Sequence, residues 1–158
     1  MKVLVVDAAN VVGSVPDGWW RDRAGAARRL VEALASRATG GDPVLAGHDR
    51  VEVVLEGRAR AGVPEGDLLR HPPAAPALDA PALDAPATDA PALDAPPPEA
   101  PVITVVHAPS SGDDAIVDRC AAWASGPGNA ITLATADRGL IERVRPYGVT
   151  IVGPRAVR

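Results

Sequence analysis

The chain has 158 residues, 47% of them apolar, and a formal charge of −4, a size that fits one domain able to bury a sizeable core. The charge is unevenly placed: residues 72–100 hold Asp79, Asp84, Asp89, Asp94 and Glu99 without a Lys or Arg, and setting these five aside leaves 15 acidic against 16 basic residues. The rest is near neutral, which excludes a strongly basic nucleic-acid scaffold, and the single cysteine, Cys120, excludes an internal disulfide framework and a multi-cysteine zinc site.

The chain opens Met1-Lys2-Val3-Leu4-Val5-Val6-Asp7, an aliphatic run of the kind found in strands buried on both faces. It meets a carboxylate too early for a signal peptide, and no later segment approaches the roughly 18 apolar residues of a membrane span. A cytoplasmic protein without a membrane partner is the expectation. From Arg21 to Ala38, Ala27, Leu30, Val31, Leu34 and Ala38 recur at helical spacing opposite Arg28, Arg29, Glu32 and Ser36, predicting an amphipathic helix that stops before Gly40-Gly41. Val51, Val53, Val54 and Leu55 predict a second strand, and a weaker helical pattern covers Ala61 to Leu69.

Ala77-Leu78-Asp79-Ala80-Pro81 then recurs as four tandem pentapeptides, with Thr88 in place of Leu in the third. Proline at every fifth position removes backbone donors and turns its neighbours away from helix, so residues 72–101 read as a low-complexity, disordered insertion between strands two and three. Beyond it, Val102, Ile103, Val105 and Val106 predict a third strand, Asp113 to Ser125 a helix, Ile131 to Ala134 a fourth strand, Arg138 to Val144 a helix and Val149 to Val152 a fifth strand. Strands alternating with helices imply a single α/β domain over residues 1–158, built on an open, mostly parallel sheet of about five strands.

In such sheets the functional crevice lies beyond the carboxyl ends of the strands. Acidic residues follow those ends: Asp7 after strand one, Glu56 after strand two, Asp113 and Asp114 beyond strand three, Asp137 after strand four. Carboxylates gathered at one rim repel one another unless their pKa values rise or a hard cation neutralises them, and oxygen-only donors suit Mg²⁺ or Mn²⁺. Each also has a plainer local role, Asp113 and Asp137 as helix caps and Glu56 as a turn residue. Asp7 is the hardest to explain that way, because it closes what should be the most buried strand. Arg21, Arg23, Arg58, Arg60 and Arg138 lie near these acids in sequence and are either phosphate contacts or solvated surface residues. Trp19-Trp20 either anchors its loop or, through Trp20 in particular, stacks on unpaired bases. Cys120 reads as a buried thiol and His107 as a hydrogen-bonded strand end.

Val5-Val6-Asp7-Ala8-Ala9-Asn10-Val11 resembles the opening of the NYN family of the PIN-like nuclease superfamily, a hydrophobic strand ending in Asp-x-x-Asn. Val53-Val54-Leu55-Glu56-Gly57 is similar to that superfamily's second strand, Ser111-Gly112-Asp113-Asp114-Ala115-Ile116 resembles the paired-acid helix start of the YacP-like branch, and Leu133-Ala134-Thr135-Ala136-Asp137-Arg138 its last acidic strand end. The resemblance implies a Rossmann-like, three-layer PIN-like domain with strand order 3-2-1-4-5. It also implies Mg²⁺- or Mn²⁺-dependent hydrolysis of RNA, single-stranded or structured. On that resemblance Asp7, Asp113, Asp114 and Asp137 hold the metal, with Glu56 beside them, and Asn10 orients a ligand or phosphate near the first carboxylate. Arg21, Arg58, Arg138 and Trp20 are the expected substrate contacts.

Two other functions compete. The same carboxylates would serve a nucleoside-triphosphate pyrophosphohydrolase, although the sequence has neither GxxxxGK[ST] nor GxGxxG. A non-catalytic module that holds RNA or protein is the alternative outside enzymes, and a homo-oligomer is compatible with each reading. A phospho-receiver domain would want a Lys after strand five, but the only lysine is Lys2.

Overall fold

An uninterrupted aliphatic run becomes the first strand of the computed structural model, which describes residues 1–68 and 100–158. In β1 (Lys2–Asp7), Val3, Leu4, Val5 and Val6 are all fully buried, each such side chain contributing about 1.5–3 kcal/mol. Burial on both faces requires a place inside the sheet. β1 has β2 (Arg50–Leu55) on one side and β5 (Ala130–Ala134) on the other, both parallel to it. β4 (Val102–His107) extends the sheet beyond β2, and β6 (Thr150–Val152) extends it beyond β5, again parallel. A two-residue strand, β3 (Gly66–Asp67), lies antiparallel on the outer edge of β4, giving the order β3-β4-β2-β1-β5-β6. The five expected strands therefore stand in the expected order 3-2-1-4-5, with one more at the edge.

Side chains leave β1 alternately. Leu4 and Val6 pack with α1 (Ala8–Gly13), α2 (Arg23–Thr39) and α3 (Pro43–Ala46), through Val11, Leu30, Leu34 and Leu45. Val3 and Val5 pack on the other face with α4 (Gly112–Ala124) and α5 (Arg138–Val144), through Ile116, Cys120, Leu140 and Val144. These are the three layers that the resemblance implied.

Three expectations need correction or lie elsewhere. The helical pattern over Ala61 to Leu69 does not form a helix in its described part: residues 57–62 make a 3₁₀ turn and Gly66–Asp67 joins the sheet. Gly57, Gly62, Pro64 and Gly66 explain this, since glycine weakens a helix and proline removes a donor. α1 was not expected, and it starts directly at the end of β1. Residues 69–99, which include the four pentapeptides and nearly all of the expected insertion, lie outside the described residues, while Pro101 is buried against the start of β4. Among the described residues no helix is long and apolar enough to cross a membrane.

Candidate functional site

Because β1, β2, β4 and β5 are parallel, their carboxyl ends share one edge of the sheet, and the acids that follow them meet there. Asp7 is the most constrained. Its Oδ1 accepts the Asn10 N–H at 3.0 Å and so caps α1, while its Oδ2 accepts the Thr135 hydroxyl at 2.8 Å. That same hydroxyl oxygen accepts the Asp137 N–H at 3.1 Å, and the Asn10 side-chain carbonyl accepts the Ala136 N–H at 2.9 Å. The Asp-x-x-Asn spacing thus does two local jobs: the aspartate starts a helix, and the asparagine, one turn later, ties that helix to the β5–α5 loop.

Burial raises the Asp7 pKa above the usual carboxylate value, and repulsion from Asp113 and Asp137 raises it further against its two hydrogen bonds. Asp113, in the first turn of α4, is also raised, first by burial, then by Asp137, Glu56 and Asp114, with Arg143 opposing. Three strand ends therefore place carboxylates within one another's field. Glu56 joins them through the backbone, its Oε2 accepting the Gly112 N–H at 2.7 Å. A Cβ at Gly112 would stand 2.7 Å from that same oxygen, so the close approach depends on glycine.

Other expected residues are turned to different partners. Asp114 is exposed and pairs with Arg143 at 2.5 Å, and Asp137 uses Oδ1 to cap α5 on the Leu140 N–H at 2.9 Å. Arg21, Arg58 and Arg138 are exposed, and among the described residues no ion pair engages them. Arg60 donates to Gly57 and Ala108 carbonyls, a structural use. Trp20 points outward at 52% exposure, and it is Trp19, edge-on to it at 6.1 Å, that faces the protein beside Glu56. His107 is held by the Val63 carbonyl at 2.9 Å, and Cys120 is buried with its thiol pushed up to about 11 by burial and by Glu52, too high for a nucleophile.

As they are oriented, no three His, Cys, Asp or Glu side chains among the described residues stand close enough to hold one metal ion. In chemistry the set does fit a hard divalent cation: Asp7, Asp113, Asp137 and Glu56 offer only oxygen, and the charges of Asp7 and Asp113 are already disfavoured by their neighbours.

Sequence reading passed over Thr135, whose signal was its place two residues before Asp137 in the last acidic motif. Thr135→Val removes the hydroxyl shared by Asp7 and Asp137 at nearly constant volume. A loss of about 1–2 kcal/mol in urea unfolding near neutral pH is expected, with Thr135→Ser restoring most of it; an unchanged midpoint in the valine variant would contradict this bridging role.

No family model matches the chain, and no curated protein sequence matches it. Among solved structures it is similar to the crystal structure of a point mutant of Rae1 (YacP) from Bacillus subtilis, with a TM-score of 0.53 and 14% sequence identity over 99% of this chain and 72% of that one. The resemblance that four short motifs carry to the NYN family and its superfamily, two of them to the YacP-like branch, is thus matched by a likeness of fold over almost the whole chain.

Proposed function

We propose that this protein is a metal-dependent ribonuclease that hydrolyses RNA phosphodiester bonds at the acidic rim. The observation that carries this is the electrostatic grouping of Asp7, Asp113 and Asp137 from three strand ends, with Glu56 acting on Asp113 from a fourth. The likeness of fold to YacP supports it.

Asp7, Asp113 and Asp137 would hold Mg²⁺ or Mn²⁺, with Glu56 and Asp114 within the same rim. A divalent ion there supplies activation of water and neutralisation of charge on the phosphate under attack. Asp7 contributes a fixed position, because two hydrogen bonds and burial leave its carboxylate little freedom. Asn10 holds the β5–α5 loop, and with it Asp137, against α1. Arg21, Arg58 and Arg138 are the cations available for phosphate oxygens, whose binding weakens with salt.

Single-stranded RNA, matched DNA and a mixture of nucleoside triphosphates, each incubated with Mn²⁺ and with EDTA, separate the alternatives. RNA cleavage abolished by EDTA is expected. Triphosphate hydrolysis with intact RNA would assign a pyrophosphohydrolase. Mn²⁺ at about 100 times its Kd should also stabilise the native state by about 2.7 kcal/mol by mass action, a rise of several degrees in unfolding temperature. A flat response together with intact RNA would leave a non-catalytic binding module.

A further inference from the structure

A cavity of about 270 Å³ opens beside the rim, between α1, α2 and the 57–62 turn. Its floor is made of small apolar side chains, Ala8, Val12 and Ala27, and three larger groups edge it: Trp19, Arg23 and Glu56. The Arg23 guanidinium lies over the Trp19 ring, 5.5 Å from its centroid. Two flat groups, one aromatic and one cationic, thus border an apolar slot one residue away from Asp7.

We infer that this slot is a nucleobase subsite that receives a base carrying an exocyclic amino group. The inference rests on the ribonuclease reading for its link to catalysis, although the slot's binding chemistry stands separately. A largely apolar space of this volume suits one heterocycle, and indole and guanidinium planes are the surfaces on which unpaired bases stack. Glu56 sets the selection. Glu56 lines the slot, and with its Oε2 engaged by Gly112, Oε1 is the oxygen available to accept from a base. Guanine, adenine and cytosine each present amino donors to such an oxygen, whereas uracil presents carbonyl oxygens on both sides of its one ring N–H and meets the carboxylate with repulsion. Glu56 is both neighbour to Asp113 and wall of the slot, so a base seated there brings its own phosphate toward the rim.

The test is titration of GMP, AMP, CMP and UMP in EDTA into Trp20→Phe protein, followed by tryptophan fluorescence. Saturable quenching by the three amino-bearing nucleotides is expected, with UMP about five-fold weaker. Ala9→Met, on the exposed side of α1 at the slot, fills the space without entering the core, leaves the Trp19 reporter in place and should weaken GMP binding about tenfold. Urea unfolding verifies that each variant is folded. Absence of quenching, equal affinity for UMP and GMP, or undiminished affinity in folded Ala9→Met would overturn the subsite. RNA cleavage in Mn²⁺ on the same samples separates the two claims: quenching with intact RNA keeps the subsite and removes the hydrolysis, and cleavage without quenching does the reverse.

Discussion

Arg119→Met is expected to destabilise the protein by about 3 kcal/mol in urea unfolding, because it strands a carboxylate in the sheet. Glu52 sits in the middle of β2 with a fully buried side chain, and the Arg119 guanidinium on α4 meets both of its oxygens, Nε to Oε2 at 2.8 Å and Nη2 to Oε1. An ionised carboxylate in such a place carries a desolvation cost of several kcal/mol unless a cation accompanies it. The loss falls at the low end of the range for breaking a buried pair, since Arg119 itself is 37% exposed and water can approach from that side. Arg119 also lies over the Trp123 ring at 5.9 Å, so part of the loss is packing. Adding Glu52→Met to Arg119→Met should recover most of the stability, because removing both charges is far less costly than removing one. A single variant as stable as wild type would show that the pair contributes nothing.

Asp7→Asn is expected to lower the rate of RNA cleavage by roughly a hundred- to a thousandfold, the scale for losing one preorganised charged group at a reacting centre. The fold should survive it. The amide oxygen keeps the Asn10 N–H, and the amide nitrogen donates to the Thr135 hydroxyl oxygen in place of accepting from it. Ionised Asp7 works against folding, since burial and then Asp113 and Asp137 hold its pKa above 3.8. A carboxylate raised in the folded state contributes stability that is fully present below its unfolded pKa and is lost as pH rises through the folded value. The asparagine variant should therefore be at least as stable as wild type at about pH 7, and the difference should shift toward wild type on acidification to about pH 4. Urea midpoints for both proteins at the two pH values check the sign. A marked loss of stability in Asp7→Asn near neutral pH would mean that Asp7 holds the fold as a charge.

The five parallel strands were legible because each is an aliphatic run, whereas β3, only Gly66–Asp67, carries no such signal; α2, α4 and α5 were legible because their apolar residues keep a helical period. Strand order was not in that periodicity; it came with the resemblance carried by the acidic motifs. α1 escaped because six residues of Ala8-Ala9-Asn10-Val11-Val12-Gly13 hold too few turns to set a period, and its start is fixed by one Asp7 cap. Glu52 carried no signal in the sequence: β2 is an inner strand covered on both sides, and the partner that makes its burial tolerable lies 67 residues away. The acids were found where strand ends predicted them, yet nothing in the sequence says that Asp114 turns to Arg143 while Asp113 stays with Asp7 and Asp137. Trp19 and Trp20 are neighbours of one type, and only the short 3₁₀ turn over residues 19–21 decides which faces the rim.

The most direct test of the central claim is the rate of single-stranded RNA cleavage in Mn²⁺ by wild-type protein beside a folded Asp7→Asn, Asp113→Asn double variant. Cleavage by wild type that EDTA stops, with none above background in the variant, is the predicted result. Cleavage that continues at the wild-type rate in the variant would contradict a carboxylate-held metal site at this rim, and RNA left intact by both proteins would contradict the ribonuclease itself.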